Sequence, residues 1–358
     1  MRTIARLALL LSFLLAPTLE VRATLLGGDI TWTCLGNGQY QFRLDIYADC
    51  ADHRMWNIPV SINSPFGPLA CYWDSSASQF PVNTCRNYNP AAACQWPSPA
   101  EGVYRMVYKS DSVSLNGIPP VTGWEFSWSG CCMSTAENGS GLNILIRSVM
   151  YPVHPPGSSM PYNSSTCFDN TPRISQFAAG ILPDGRAHTL SQQPLDSDLD
   201  SVSIQWAPVA LSTSQNFSYN PGFSIQTPFP DSSENSLNGP NTLNAANGLM
   251  QFETYGAALG WYYYGLVVRS YRFGQLLAEN FRTGAIRISD SSLWEANASA
   301  PQIVIDTSVY RNIQQQGQTY FAEVYEGDSL SINLSASDFD QYPDGSFQNL
   351  CMEVSGVM

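Results

Sequence analysis

Most hydrophobic residues of this chain alternate with polar ones, which is the period of a β-strand that buries one face. Residues 30–34 and 40–46 both follow this alternation, and the turn Gly36-Asn37-Gly38 lies between them. Asn-Gly is a preferred turn dipeptide because both residues tolerate a positive φ. The pattern therefore predicts a β-hairpin with one buried face.

The same alternation recurs along the rest of the chain. Further strands are predicted at 124–128, 142–146, 202–206, 262–268, 285–286 and 303–305. The longer apolar run at 262–268 is typical of a central strand, and residues 274–280 are predicted to form a hairpin rather than a helical turn. Many short strands with turn residues between them indicate an all-β protein made of tandem β-sandwich modules of the immunoglobulin or cadherin kind.

The first 23 residues have the pattern of a secretory signal. Arg2 and Arg6 precede an apolar run at 7–15, and residues 21–23 offer a small-residue cleavage site. The apolar run is too short to span a bilayer. We therefore expect the mature chain to begin near Thr24 and to be secreted or displayed at the cell surface.

Changes in composition divide the mature chain into three predicted units. A stretch rich in Pro, Ser and Asn closes a disulfide-rich β domain at 24–166. A second β-sandwich is predicted at 167–290, and a polar linker leads into the start of a further module at 301–358. This last segment is too short for a complete sandwich, so we expect the sequence to be truncated from a longer modular protein.

Composition restricts the partners. The net charge is −13, and only 13% of the residues are charged. An acidic chain is not expected to bind nucleic acid or anionic membranes, and no second segment reaches transmembrane length. The excess of acid is compatible with bound cations. The many Tyr and Trp residues favour core packing over a sugar-stacking surface.

Eight of the nine cysteines lie between positions 34 and 167. In a secreted chain this density predicts disulfide bonds, and the Cys-x-x-Cys pairs of a zinc site do not occur. The candidates are Cys34, Cys50, Cys71, Cys85, Cys94, Cys131, Cys132 and Cys167. Their connectivity stays open among about 105 pairings. The adjacent Cys131 and Cys132 are expected to bond to two different partners, and Cys351 is left over.

Two groups of aspartates are candidate calcium ligands. They are Asp196, Asp198 and Asp200, and Asp338, Asp340 and Asp344. Carboxylates at alternate positions of an extended loop can converge on one side, and Ca²⁺ takes about six to eight oxygen ligands. Neither group follows the EF-hand pattern, and the alternative for each is a solvated acidic turn. No other cofactor is predicted.

Motifs for catalysis are not recognisable. The histidines are His53, His154 and His188, and none lies in a two-histidine metal motif or beside a nucleophile elbow. Arg269, Arg272 and Arg282 could form an anion site, but alternating arginines on a strand more often belong to an exposed face. Glycoside hydrolysis needs only two carboxylates, so a polysaccharide-binding or polysaccharide-degrading protein stays the alternative to a non-enzymatic one.

Several short motifs, taken in order, resemble those of large secreted Bacteroidetes surface proteins. They lie at 28–40, 44–50, 124–132, 195–202, 247–249, 268–274, 281–282, 326–328 and 337–340. Among them are a Cys-Leu-Gly turn, an aromatic strand that leads into a cysteine pair, and an arginine-rich hairpin. The sequence departs from the family at Ala48, where Arg is usual, and at Ser270, where Glu is usual.

This resemblance implies a modular protein of the gliding-motility-associated or polycystic-kidney-disease-repeat kind, exported by type IX secretion. The sorting domain that this export route uses is not visible in the sequence. The implied role is adhesive or structural and non-enzymatic. The implied partners are an extracellular surface, a glycan or protein ligand, and further modules of the same polypeptide.

Overall fold

The computed structural model describes residues 25–49, 58–82 and 103–291, together with four strands at 302–305, 313–316, 319–322 and 334–337. Within these residues every regular element is a β-strand except the 3-10 turn Ser164–Thr166 and a 3-10 turn that begins at Ser291. The predicted all-β class is confirmed. No helix in this described part of the chain is long and apolar enough to cross a membrane. The predicted signal at 1–23 lies outside the described residues.

The strands are numbered in chain order. β1 to β10 span Leu25–Gly36, Gln39–Asp49, Val60–Ile62, Leu69–Trp73, Gln79–Val82, Val103–Ser110, Val113–Ser114, Trp124–Cys131, Gly139–Ser140 and Asn143–Met150. β11 to β20 span Arg173–Ile174, Ala179–Pro183, Ala187–Ser191, Pro194–Leu195, Ser201–Trp206, Ser218–Tyr219, Thr242–Leu243, Leu249–Glu253, Gly260–Arg272 and Gln275–Ser289. β21 to β24 span Gln302–Ile305, Ile313–Gln316, Thr319–Ala322 and Leu334–Ser337. Every strand predicted from alternation overlaps one of these.

Eight of the strands form a nearly closed barrel. One edge of β20 pairs with β19, and its other edge pairs both with β1, which leads on to β2, β6, β4 and β3, and with β10, which pairs with β8. The ring is completed just after β3, where Asn63 and Ser127 exchange two backbone hydrogen bonds of 2.7 and 3.0 Å. Side chains can just fill a barrel of eight strands, so its interior is a core rather than a channel.

Three aromatic residues mark the centre of this core. Trp32 and Phe42 face each other from the β1–β2 hairpin, and Phe126 of β8 completes the group. The Phe126 ring lies 4.5 Å from the Phe42 ring and 5.6 Å from the Trp32 ring, measured between centroids, and all three side chains are buried. Burial of one such side chain contributes about 1.5–3 kcal/mol, so the alternating hydrophobic positions of the hairpin specify the barrel interior.

Two glycines let β1 lie between β20 and β2. A Cβ atom on Gly27 would lie 2.1 Å from the carbonyl oxygen of Thr283, and one on Gly28 would lie 2.1 Å from that of Asp45. Neither backbone oxygen can move away without breaking the sheet. Only glycine permits this approach.

A second layer is built against the long β19–β20 hairpin. β15 pairs with β19 next to the hairpin turn, and β12 pairs in parallel with β20 at the end away from that turn. A separate sheet of β13, β18 and β17 contributes to the same core. The core between them includes Phe229, whose ring stacks on that of Phe252 at 4.0 Å and lies 5.6 Å from that of Tyr264.

The predicted intervals 24–166 and 167–290 therefore share one sheet. Barrel strand β20 belongs to the second interval but pairs with β1 and β10 of the first. Residues of both intervals also form one hydrophobic cluster, in which Ile30 and Trp128 occur together with Val209 and Tyr263. The expected boundary near 166 lies inside this continuous structure, because β-pairing across it buries the apolar faces of both parts.

Candidate metal centre

The segment that follows the 3-10 turn is held against β1. Cys167 forms a disulfide bond with Cys34 of β1, and their Cα atoms are 5.5 Å apart. The backbone N–H of Cys34 also donates to Oδ1 of Asn170 at 2.6 Å. These two contacts lie on either side of Asp169 and hold its backbone in place.

The Asp-rich turn before β15 is organised by Asp196. Its Oδ1 accepts hydrogen bonds from the backbone N–H groups of Asp198 at 2.8 Å and Asp200 at 3.3 Å. Asp198 in turn accepts from the backbone N–H and the side-chain amide of Asn170, at 2.6 and 2.7 Å. The turn is thereby joined to the disulfide-anchored segment.

One arginine faces the turn from the end of β19. Arg272 forms two hydrogen bonds with Asp200, from Nε to Oδ1 at 2.7 Å and from Nη2 to Oδ2 at 2.6 Å. Its Nη2 lies farther from carboxylate oxygens of Asp169 and Asp198, at 3.8 and 3.9 Å. One guanidinium therefore faces four carboxylates once Asp196 is included, and the cluster keeps an excess of negative charge.

Asp169 is the residue of this cluster whose carboxylate receives no hydrogen bond from the network. It is 1% exposed, and neither of its carboxylate oxygens has a hydrogen-bond partner among the described residues. Oδ2 of Asp196 is also buried without a partner there. A buried carboxylate without partners is costly unless it is neutralised by a proton or a cation.

The protonation of the cluster reflects this cost. Burial raises the pKa of Asp169 well above its usual range, and the nearby carboxylates of Asp196, Asp198 and Asp200 raise it further. Burial also raises the pKa of Asp196 to about 6. In the absence of a metal ion, Asp169 therefore binds a proton more readily than an ordinary aspartate does, and so does Asp196 to a smaller extent.

The geometry allows one cation to contact three carboxylates. Single carboxylate oxygens of Asp169, Asp198 and Asp200 all lie within 4.8 Å of one another. Ca²⁺ accepts oxygen ligands at about 2.3–2.6 Å in a flexible geometry, so all three could bind the same ion. These three residues, with Asp196 beside them, could hold Ca²⁺ with an oxygen-only ligand set.

The first predicted Asp group thus lies in one turn, and the structure adds Asp169, which the sequence analysis missed, and Arg272, which it placed in a candidate anion site. Asp169 and Arg272 come from distant segments, and no local spacing links either of them to the turn. The second predicted group, Asp338, Asp340 and Asp344, lies outside the described residues.

The cysteine predictions have mixed outcomes. Cys34 and Cys167 are bonded to each other, as expected of disulfide candidates. The expectation that Cys131 and Cys132 bond to different partners is wrong, because the two form a disulfide with each other. Cys71 is a buried free thiol and not half of a disulfide. The remaining candidates, Cys50, Cys85 and Cys94, and the leftover Cys351 lie outside the described residues.

The alternative of an anion site at the three arginines is wrong, since each is paired with an acid. Arg269 binds Glu279 at 2.7 Å, and Arg272 binds Asp200 as described above. Arg282 is buried and binds Asp29 inside the barrel wall. These guanidinium groups neutralise carboxylates of the fold.

Comparisons with known proteins identify no relative. No protein-family model, curated protein or solved structure matches this chain. The resemblance to Bacteroidetes surface proteins therefore stays a prediction.

Proposed function

We propose that this chain is a secreted, non-enzymatic structural or adhesive protein whose folded state is stabilised by Ca²⁺ bound between Asp169 and the Asp-rich turn. The observation that carries the proposal is the Asp169 carboxylate, which is buried without a hydrogen-bond partner among the described residues and faces Asp198 and Asp200. A divalent cation at this point would neutralise the excess charge that one arginine leaves.

The position of the site connects it to an extracellular role. Its ligands come from the segment after Cys167 and from the turn before β15, so a bound ion would join two segments that only folding brings together. Extracellular calcium sites bind in the range of about 10⁻⁴–10⁻³ M. A site of that affinity would be filled outside the cell and empty in calcium-poor compartments. Folding would then be completed after export.

The modular part of the proposal concerns the end of the sequence. Strands β21 and β24 pair with each other, as do β22 and β23. We propose that they belong to a further β-sandwich module, as the resemblance implies, and that adhesion uses several linked modules. Linked modules gain avidity through their effective concentration.

Thermal unfolding with and without calcium tests the proposed site. A hundredfold excess of Ca²⁺ over its Kd should stabilise the protein by about 2.7 kcal/mol relative to the protein in chelator. Asp198→Ala should reduce this gain, because it removes one ligand and the anchor of Asn170. Asp111→Ala removes an exposed carboxylate elsewhere and should leave the gain unchanged.

Identical melting curves in chelator and in millimolar calcium would contradict the proposal and leave a solvated acidic turn. An equal effect of Mg²⁺ would contradict the assignment of the site to Ca²⁺, because Mg²⁺ requires a stricter octahedral geometry. Robust hydrolysis of a polysaccharide, lost on replacement of a single carboxylate, would support the enzymatic alternative instead.

A further inference from the structure

Several exposed hydrophobic residues lie at one end of the barrel. It is the end with the β19–β20 turn, because Met150 pairs with both Ala278 and Trp124, so β10 ends and β8 begins close to the start of β20. β1 is antiparallel to β20 and therefore also ends there. The ring of Phe66 lies 4.7 Å from that of Trp124, which brings the β3–β4 turn to the same end. We call five exposed side chains at this end the apolar rim: Leu35, Phe66, Val121, Leu199 and Phe273.

Two members of the apolar rim flank the candidate metal centre. Leu199 lies between Asp198 and Asp200 in the Asp-rich turn. Phe273 follows Arg272, which forms two hydrogen bonds with Asp200, at 2.7 and 2.6 Å. This ion pair joins the two turns and therefore holds both hydrophobic side chains beside the Asp cluster.

The backbone at these two positions is unfavourable for the residues that occupy them. Leu199 has a φ of 64° and Phe273 a φ of 52°, in the left-handed region that favours glycine or asparagine. Their side chains are 70% and 65% exposed, so neither gains much from burial in the fold. Strained backbone and exposed bulky side chains, found together, indicate a contact with a partner rather than a contribution to folding.

The Asp cluster restricts what this partner is. Asp169, Asp198 and Asp200 could supply one oxygen each, whereas Ca²⁺ takes about six to eight. Asp198 is exposed, so a bound ion could accept further oxygen ligands from outside the protein. Without the ion, the carboxylates and the net charge of −13 oppose contact with an anionic surface. Calcium would turn this repulsion into attraction, because phosphate oxygens are suitable ligands for it.

We infer that the apolar rim docks on a phospholipid bilayer with anionic headgroups, with Leu199 and Phe273 inserted among the lipids and Ca²⁺ joining the Asp cluster to lipid phosphate. The inference rests on the calcium site proposed above and names the surface to which the protein adheres. Buried apolar area and attraction to anionic lipids together set the strength of interfacial binding. Each of the two contributions is present at this end of the barrel.

Sedimentation of the full chain with vesicles of phosphatidylcholine and phosphatidylglycerol tests the inference. The protein should bind the vesicles in millimolar calcium and not in chelator. Leu199→Ser should weaken binding at least about tenfold, because one inserted side chain is lost. Leu142→Ser is the matched control, since Leu142 is 63% exposed and precedes β10 at the opposite end of the barrel. Both variants keep the Asp cluster, so calcium should still raise their thermal stability.

Hydrogen exchange of the unmodified protein gives a measurement that does not depend on how a variant folds. Vesicles with calcium should slow exchange at 197–201 and 271–275 and leave 141–143 unchanged. Absence of vesicle binding by a protein that calcium stabilises would overturn this inference and leave the calcium site standing, whereas absence of both effects would overturn the two together. Equal binding in chelator, equal weakening by the two leucine variants, or calcium-dependent self-association through the same residues without lipid would also overturn it.

Discussion

Replacement of Asp169 by asparagine should stabilise the protein in the absence of calcium and weaken its stabilisation by calcium. In chelator at about pH 8, Asp169 either carries a buried charge or holds a proton against the solution pH. Two carboxylates within 4.8 Å of each other repel by about 3.5 kcal/mol at an effective dielectric constant of about 20. Asparagine removes two such repulsions, about 7 kcal/mol towards Asp198 and Asp200 together, but it also removes the attraction to Arg272 at 3.8 Å, about 4.4 kcal/mol on the same scale. Its own buried amide costs about 1–3 kcal/mol, which offsets the remaining difference. Because burial is the main cause of the raised pKa of Asp169, loss of the buried charge adds a further gain. We expect Asp169→Asn to be more stable than the native protein in chelator by about 1 kcal/mol.

In saturating calcium this advantage should disappear. Asp169→Asn loses a charged ligand, and a tenfold loss of affinity removes about 1.4 kcal/mol of the gain of about 2.7 kcal/mol expected at a hundredfold excess. Urea unfolding followed by tryptophan fluorescence measures both quantities on the same protein. Asp111→Asn replaces an exposed carboxylate and is the matched control. It should alter neither the stability in chelator nor the stabilisation by calcium.

The pH dependence gives a second check on the same variant. The pKa values of Asp169 and Asp196 are raised in the folded state, that of Asp196 to about 6. The folded state therefore binds more protons than the unfolded state, and calcium-free protein should lose stability as the pH rises from about 4 through 6. Asp169→Asn should lose less stability than the native protein over this pH range, because it has one such carboxyl group fewer.

This reasoning is refuted if Asp169→Asn is less stable than the native protein in chelator and calcium raises the free energy of unfolding of both proteins equally. In that case Asp169 would serve as a partner of Arg272, whose Nη2 is 3.8 Å away. Calcium binding that persists unweakened at pH 4 would also refute it, because protons and metal ion would then not compete.

Two further predictions concern the cysteines. The double change Cys34→Ser and Cys167→Ser opens a loop of sequence separation 133 and should lower the free energy of unfolding by about 5 kcal/mol, because the disulfide restricts the unfolded chain. By the same loop-entropy argument, Cys131→Ser with Cys132→Ser, at separation 1, should cost about 1 kcal/mol or less. Comparable losses for the two double variants in urea unfolding would disprove this account. Burial raises the pKa of Cys71 to about 11, and its thiol donates to the carbonyl of Leu69 at 3.7 Å. Iodoacetamide should therefore leave Cys71 unmodified in the native protein and alkylate it in denaturant, as read by peptide mass mapping, and rapid native alkylation would contradict its burial.

The strands of this protein could be predicted because their information is local. Alternation with a period of two shows which residues of a strand share a face, and the Asn37-Gly38 turn fixes the register of the β1–β2 hairpin. The hairpin, the central strand at 262–268 and the all-β class were therefore correct. The Asp-rich turn was recognisable for the same reason, since Asp196, Asp198 and Asp200 lie within five residues.

The tertiary structure alone decided which strands are neighbours and which acids meet. The pairing of β20 with β1, β10 and β12 joins segments more than a hundred residues apart, and alternation does not specify such partners. Asp169 is brought to the turn by a disulfide that joins Cys167 to β1. Hydrophobic periodicity fixes which face of a strand is buried, but the neighbour that buries it depends on how the whole chain packs. Contacts of this kind determine the proposed calcium site.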